Sequence, residues 1–187
     1  MAEGARGGAV RLRERGAGDV GACVEVLREV HTAGGYPRNW PADPVSWVAA
    51  GSGCGAWVAE MPGLGLIGHV ALGPPGDGDV APNLAASSEQ VAVVARLFVS
   101  PRARGLGAGR ALLREAGERA RGMGRRAVLD VVSGDTASVA FYVHAGWERL
   151  GSGEQDWGGG VHVPVHCFGA PRQGGVGGIK WSGRNGT

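Results

Sequence analysis

The sequence predicts a single α/β domain in which strands and helices alternate along the chain. An apolar run at 91–99 leads through a glycine-rich turn into an amphipathic helical pattern. A second apolar run, AVLDVV at 127–132, is also followed by a helical pattern. Two further runs, at 56–60 and 64–72, are joined through a Pro-Gly pair, which is typical of a β-hairpin. With 187 residues, the chain is long enough for one domain with a buried core.

Before the hairpin, the pattern predicts one strand and two helices. A short strand is expected at 10–13, and a helix from an N-cap at Asp19 to about Val30, where apolar residues recur on one face. Residues 31–44, HTAGGYPRNWPADP, are rich in Gly and Pro and are predicted to form a loop with two aromatic side chains. A second, short helix is expected at 45–50.

After the hairpin, residues 73–83 are predicted to be a loop, and the strand at 91–99 ends at Ser100-Pro101 because proline cannot donate to a ladder. Asp135 is suited to cap a helix at 136–144. A final strand pair is expected at 147–150 and 161–168, around a glycine-rich loop. The predicted order is β-α-α-β-β-β-α-β-α-β-β. The domain should span 9–169, with flexible tails at 1–8 and 171–187.

Composition excludes several classes of protein. A net charge of +2 is too small to predict nucleic-acid binding. No apolar run is long enough to span a membrane, and the first residues lack the apolar segment of a secretory signal. Three scattered cysteines without a C-x-x-C spacing are expected to be reduced thiols. We therefore expect a cytoplasmic protein without a nucleic-acid or membrane partner.

The turn after the strand at 91–99 has the composition of an anion site. The first N–H groups of a helix have no internal acceptor and lie at the positive end of its dipole. Glycines let a phosphate approach these groups, and arginines add charge and paired donors. The segment should therefore hold a phosphorylated ligand, with a pyrophosphate favoured; its glycines and arginines are Arg102, Arg104, Gly105, Gly107, Gly109 and Arg110.

Two nucleotide-binding patterns do not fit this turn. The dinucleotide fingerprint G-x-G-x-x-G fails because Arg110 stands at the position of its third glycine. The phosphate loop of nucleotide triphosphatases requires a lysine, and the only lysine in the chain is Lys180. A nucleotide-binding protein is therefore disfavoured.

The pattern that fits is Arg104-x-x-Gly107-x-Gly109, which resembles the acyl-CoA signature of the GNAT acetyltransferase superfamily. A second segment, DTASVAFYVHAGW at 135–147, resembles that family's N-x-x-A-x-x-[LF]-Y-x-x-x-G-[FW] motif. It departs from the motif at Asp135 and Ser138, where the family usually has Asn and Ala. The resemblance covers roughly residues 10–169 and is most specific at 91–150.

The resemblance implies a GNAT-like mixed β-sheet with helices on both faces, in which a bulge in the fourth strand splays it from the fifth. The pantetheine arm of the cofactor would lie in this gap. The residues implied to bind acetyl-CoA are Leu97, Phe98 and Val99 on the strand, Arg104, Gly105, Leu106, Gly107, Ala108, Gly109 and Arg110 in the turn, and Asp135 and Tyr142.

The implied reaction is N-acyl transfer, most simply from acetyl-CoA to a primary amine of a small molecule or protein, by direct attack in a ternary complex. Tyr142 matches the position of the family's general acid. The base is open, since 91–99 contains no carboxylate: the candidates are Glu60, Glu89, His69 and His31, or a water chain from backbone carbonyls.

The loop at 31–44 would border the acceptor, with Tyr36 and Trp40 as its contacts. No metal is expected, because His162 and His166 would lie about 13 Å apart on one strand. A homodimer is left open. The rival hypothesis is a non-catalytic acyl-CoA-binding or sensing module, which would keep the turn and lack a working base.

Overall fold

The computed structural model describes residues 9–172, in which the chain forms seven strands and five α-helices. The strands are β1 (Arg11–Glu14), β2 (Gly55–Met61), β3 (Gly65–Gly73), β4 (Val91–Val99), β5 (Arg126–Val132), β6 (Glu148–Asp156) and β7 (His162–Gly169). The helices are α1 (Val20–Gly34), α2 (Pro44–Ala49), α3 (Ala81–Leu84), α4 (Ala108–Gly122) and α5 (Thr136–His144). The predicted tails, apart from residues 171 and 172, lie outside the described residues.

The strands form one open sheet in the order β1-β2-β3-β4-β5-β7-β6. Every neighbouring pair is antiparallel except β4 and β5. Helices cover both faces. On β2, Trp57 and Ala59 belong to the core beneath α4, whereas Val58 between them belongs to the core beneath α1 and α2. The predicted fold, a mixed sheet with helices on both faces, is confirmed.

Helix α1 is longer than the sequence pattern indicated. Its buried face carries Val24, Leu27 and Val30, and it continues to Gly34 before Gly35 ends it with a φ of 72°. Residues 31–34 therefore belong to the helix and not to the predicted loop. Helix α2 begins one residue earlier than predicted, where the side chain of Asp43 accepts a bond from the Ser46 N–H at 3.0 Å.

Two expectations about loops were wrong. Helix α3 begins within the predicted loop at 73–83, because the carboxylate of Asp130 on β5 accepts the N–H groups of Val80 and Ala81 at 2.7 and 2.8 Å. Strand β6 extends to Asp156, through residues predicted to be a loop. Its glycines permit the close approach of α3: a Cβ added at Gly153 would lie 2.5 Å from Val80 Cγ1.

Candidate active site

The glycine turn (residues 104–110) connects β4 to α4. Gly105 and Gly107 have φ angles of 78° and 83°, in the left-handed region that favours glycine. A Cβ added at either position would meet no described atom within 4 Å. These two glycines therefore shape the turn and leave its outer surface open to a ligand.

The start of α4 presents free donors beside that open surface. The first backbone bond of the helix runs from the Ala111 N–H to the Gly107 carbonyl at 3.0 Å. Within residues 9–172, no protein acceptor faces the preceding N–H groups of Ala108, Gly109 and Arg110. The first turn carries no acidic residue. The free N–H groups and the helix dipole make this end of α4 suited to an anion.

Gly109 has a different surrounding. A Cβ added there would lie 3.5 Å from Phe141 Cζ and 3.6 Å from Val99 Cγ2, which is ordinary contact distance. Helices α4 and α5 thus meet the end of β4 at this residue. The position faces the interior and has room for one methyl group.

The arginines of this region divide into paired and unpaired side chains. Arg102 forms an ion pair with Glu29 at 2.8 Å, and the buried Ser100 donates its hydroxyl to the same carboxylate at 2.6 Å. Arg104 and Arg110 form no ion pair in the part of the chain that the structure describes; Arg110 contacts only the carbonyl of His144, at 3.3 Å. In the described residues no carboxylate therefore neutralises either of these two arginines of the glycine turn, and the exposed Leu106 lies between them in sequence.

Strand β4 is bulged and splayed, as the family resemblance implies. It pairs with β5 only over Val91–Val93. Further along, the register with β3 shifts, so that two residues, Arg96 and Leu97, lie opposite one, Val70. Arg96 has a φ of 52°, unusual for a residue with a side chain. The backbone of residues 94–99, which includes the predicted cofactor partners Leu97, Phe98 and Val99, therefore borders a gap on the β5 side.

His69 on β3 holds this bulge. Its Nδ1 lies 2.9 Å from the Arg96 carbonyl oxygen, and its Nε2 lies 2.9 Å from Nη1 of Arg15. A carbonyl only accepts and a guanidinium only donates, so the proton is on Nδ1 and the Nε2 lone pair is occupied. Burial lowers the pKa of His69 to about 4. As a candidate base, His69 thus lacks a free lone pair.

Tyr142 lies on α5 in a mainly aromatic environment. Its ring centroid is 5.2 Å from that of Phe141, 5.8 Å from Phe168 and 6.2 Å from Trp147. Burial raises the pKa of its phenol well above the usual range, and the charges of Tyr36 and Asp135 act in the same direction. Tyr142 is therefore a neutral phenol that can donate a proton.

The two predicted acceptor contacts occupy different places. Tyr36 packs edge-on to Trp47 of α2 at 6.2 Å, and burial raises its pKa to about 12. Trp47 is also the ring over which the Arg96 guanidinium lies, at 4.9 Å, so Tyr36 and Arg96 share this neighbour. Trp40 instead packs on α1, 5.3 Å from the His31 ring and 5.4 Å from the Arg28 guanidinium. His31 itself donates from Nδ1 to the Pro37 carbonyl at 2.8 Å, which fastens this loop.

The two carboxylates considered as bases are both paired. Glu60 accepts two bonds from Arg13, at 2.9 and 2.5 Å. Glu89 accepts from Arg172 at 2.8 Å and lies 3.4 Å from Arg126, next to the paired end of β4 and away from the gap. The bond from Arg172 lowers the pKa of Glu89. Neither carboxylate is a free base in this arrangement.

Asp135 caps α5 by accepting the N–H of Ser138 at 3.0 Å. Sequence reasoning missed three residues near the site. The available signal for Arg96 was a charged residue within an apolar run. Ser100 and Glu29 gave no signal, because their contact joins residues 71 positions apart.

Two cavities lie away from these residues. One of about 670 Å³ is next to Glu89 and Arg126, at the paired end of β4, and one of about 500 Å³ is next to Cys54 and Trp57. Neither is lined by the glycine turn or by Tyr142. The candidate site therefore lies apart from both of these cavities.

The glycine turn and the bulged fourth strand lie in a region of the sequence that matches a family model. The model for the acetyltransferase (GNAT) family matches residues 23–147. The chain belongs to this family. The matched region contains β4, the turn, α4 and Tyr142.

Solved structures of other GNAT proteins share the fold. NAA60 of Arabidopsis thaliana, in complex with acetyl-CoA, has a TM-score of 0.67 at 17% identity, covering 87% of this chain and 98% of that one. A phosphinothricin acetyltransferase of Sinorhizobium meliloti, also in complex with acetyl-CoA, has a TM-score of 0.64 at 20% identity, with coverages of 87% and 88%. A ribosomal-protein-alanine N-acetyltransferase of Brucella melitensis has a TM-score of 0.62 at 21% identity, with coverages of 86% and 98%.

No curated protein matches this GNAT chain in sequence. Among residues 9–172, His, Cys, Asp and Glu form no group of three that could hold a metal ion. No helix in the same range is long and apolar enough to cross a membrane.

Proposed function

We propose that the protein transfers an acetyl group from acetyl-CoA to a primary amine, by direct attack of the amine in a ternary complex. The observation that carries this proposal is the convergence of three parts at Gly109: the end of splayed β4, the free N–H groups that begin α4, and helix α5 with Tyr142.

Acetyl-CoA would be held in two places. The pyrophosphate would accept the free N–H groups of Ala108, Gly109 and Arg110, with Arg104 and Arg110 neutralising its charge. The pantetheine arm would pair with the backbone of residues 97–99, which border the gap on the β5 side. Both contacts use main-chain groups that have an open side in the described structure.

In the reaction, the amine lone pair attacks the thioester carbonyl carbon, the C–S bond breaks, and the departing thiolate needs a proton. Tyr142 supplies this proton from its neutral phenol. A thiol titrates near ~8.5 and a phenol near ~10, so the transfer is uphill in water. Burial disfavours both anions, because each loses the solvation of its charge. Desolvation of the thiolate therefore offsets part of this difference.

The amine must lose a proton, and three of the predicted bases are already occupied in the described structure. Glu60 and Glu89 are paired with arginines, and the His69 lone pair accepts from Arg15. We propose that water passes the proton outward along the backbone carbonyls that border the gap. The rival function, a non-catalytic acyl-CoA-binding module, would arise if this route did not work.

The test is incubation of the full chain with acetyl-CoA and a panel of primary amines, with release of free CoA thiol as the readout. Thiol release that depends on the amine, with N-acetylated product in equal amount, supports acetyl transfer. Acetyl-CoA binding by calorimetry without any turnover would support the binding module. Absence of binding would overturn both.

A further inference from the structure

Arg96, at the β4 bulge, is a half-buried guanidinium without a protein acceptor. In residues 9–172 its side chain forms no hydrogen bond or ion pair, and its Nε is fully buried without a partner. The two terminal nitrogens also have no partner, but they are not among the fully buried atoms. An unsatisfied buried polar group is costly, and the two terminal nitrogens are the atoms of this guanidinium that a partner from outside can reach.

The other half-buried arginines show that this is an exception. Arg15 donates to the Val48 carbonyl at 2.7 Å and to His69 at 2.9 Å. Arg125 donates to the sulfur of Cys54 at 3.4 Å, and Arg126 donates to the Ala170 carbonyl at 2.8 Å and pairs with two glutamates. Among the half-buried arginines of the described chain, only Arg96 has no acceptor.

The guanidinium of Arg96 is held in place by packing. It lies over the ring of Trp47, with 4.9 Å between its central carbon and the ring centroid. On another side it lies directly against Gly51, where a Cβ would collide with Nη1. The φ of 52° at Arg96 fixes the direction in which the side chain leaves the strand. A guanidinium held in this way loses little rotamer freedom when it binds a ligand.

The charges around Arg96 suit an amine that carries an acid group. Tyr36 and Asp79 both act on its pKa, and burial, the largest influence, lowers it. Tyr36 in turn acts on the pKa of Tyr142. Arg96 therefore lies on the bulge that opens the gap, beside Trp47, which also packs against Tyr36, and Asp79 is an acidic side chain that raises its pKa.

We propose that Arg96 binds a carboxylate of the acceptor, so that the acceptor is a small amine that also carries a carboxylate, such as an α-amino acid. This proposal rests on the proposed acetyl transfer. A guanidinium donates two parallel bonds to a carboxylate, which a neutral amide cannot accept in the same way. The acid group would orient the amine, because the reacting nitrogen lies a short, fixed distance from it.

The experiment compares each α-amino acid with its carboxamide in the thiol-release assay. For the parent protein we expect kcat/KM to favour the carboxylate by about 10-fold to 100-fold, the range for a charge-assisted hydrogen bond. Arg96→Asn, which removes the charge and tolerates a positive φ, should bring this ratio close to one and leave acetyl-CoA affinity unchanged. Arg96→Lys should keep part of the preference. The control is Arg11→Asn on the exposed strand β1, which should retain the full ratio.

A binding measurement separates this proposal from the proposed function. N-acetyl amino acids, which carry the carboxylate, should raise the thermal midpoint of the parent in the presence of CoA and leave that of Arg96→Asn unchanged. This shift without turnover of any amine would overturn the acetyl transfer and keep the carboxylate site. Turnover with equal rates for acid and amide, in the parent and in Arg96→Asn alike, would overturn the carboxylate site and keep the acetyl transfer. If Arg96→Asn does not fold, two other measurements decide. The proposal is overturned if Arg96→Lys keeps the full kcat/KM preference for the carboxylate over the carboxamide and the parent binds acid and amide equally.

Discussion

The imidazole Nδ1 of His69 donates to the carbonyl oxygen of Arg96 at 2.9 Å, and this bond joins β3 to the bulge of β4. The ring must be neutral for its other contact, because Nε2 has to remain an acceptor for Arg15. A protonated ring would keep the donation to Arg96 and lose the contact with Arg15, so the link from β3 to Arg15 depends on the protonation state of one buried histidine.

Stability should fall in acid because of His69. Burial lowers its pKa from 6.5 to about 4, so the unfolded chain binds a proton between these values that the native chain does not. The stabilisation is complete above the unfolded pKa and is lost as the pH falls toward the folded one. At pH ~5 the loss is about 2 kcal/mol. Urea unfolding of the parent and of His69→Gln near pH ~7.5 and ~5 isolates this contribution from the carboxylates. Equal losses in both proteins would contradict the assignment.

Tyr142→Phe should lower turnover by roughly 10²-fold or more, the scale of a general acid, while acetyl-CoA affinity stays unchanged. The ring contacts with Phe141, Phe168 and Trp147 are kept, so the fold should not suffer. Single-turnover kinetics and calorimetry measure the two quantities. Phe141→Leu serves as the control for altered packing. Unchanged turnover in Tyr142→Phe would return this residue to a packing role.

Gly107 and Gly109 should respond differently to the same substitution. Gly107→Ala places a side chain at a φ of 83°, which costs about 1–2 kcal/mol and disturbs the turn. Gly109→Ala adds a methyl group where contact distances are 3.5 and 3.6 Å, so it should fold normally. We expect weaker acetyl-CoA binding in Gly107→Ala and near-parental binding in Gly109→Ala, measured by calorimetry at equal folded fraction. Parental acetyl-CoA binding in a folded Gly107→Ala protein would show that the turn does not carry the ligand.

Substitutions of Tyr36 and Trp40 should have different effects, the first on acceptor binding and the second on stability. Tyr36 packs on Trp47, the ring over which the Arg96 guanidinium lies, so Tyr36→Ala should raise acceptor KM by about 10-fold, with acetyl-CoA affinity unchanged. Trp40 packs on α1, so Trp40→Ala should instead lower the free energy of unfolding by about 1–3 kcal/mol. Steady-state kinetics and urea unfolding distinguish the two. A raised acceptor KM in a fully stable Trp40→Ala protein would place Trp40 at the site.

Gly153 and Gly117 form a matched pair for stability. At Gly153 an added Cβ would lie 2.5 Å from a methyl of Val80, so Gly153→Ala should destabilise the protein by about 1–3 kcal/mol. At Gly117, inside α4, no described atom lies within 4 Å of an added Cβ. Gly117→Ala should therefore stabilise the protein by about 0.5–1 kcal/mol through helix propensity. Thermal unfolding of both variants checks the opposite signs.

The parts of the molecule that the sequence predicts best are those fixed by neighbours along the chain. Strand β4 and helix α5 have the predicted bounds, because an apolar run, a proline, an N-cap and a terminal glycine define them locally. Helix α3 was missed because its N-terminal donors are satisfied by Asp130, about 50 residues away. The predicted strand β6 was too short, because its glycines are typical of a loop in the sequence. In the fold, Val80 and Leu84 pack against these glycines.

The candidate site likewise has parts that local sequence predicts and parts that depend on distant residues. The glycine turn and Tyr142 follow from local motifs and lie together in the fold. The base and the acceptor contacts depend on which charges meet in space. Glu60 is occupied by Arg13, and His69 by Arg15 and the Arg96 carbonyl; none of these pairs is adjacent in sequence. The role of Arg96 becomes visible only when its lack of an acceptor is known.

The three-residue pairing of β4 with β5 also has a consequence for self-association. It leaves Leu129–Val132 and the end of β4 as two unpaired strand edges inside the protein, facing each other across a wedge that is closed at one end. Exposed edges ordinarily invite strand addition by another chain, and proteins block them with charge or bulges. Here both edges lie in the interior of the sheet, one carries the bulge at Arg96 and Leu97, and helices pack on both faces. The fold thus keeps unpaired backbone donors and acceptors between two of its own strands and not at the outer edge of the sheet.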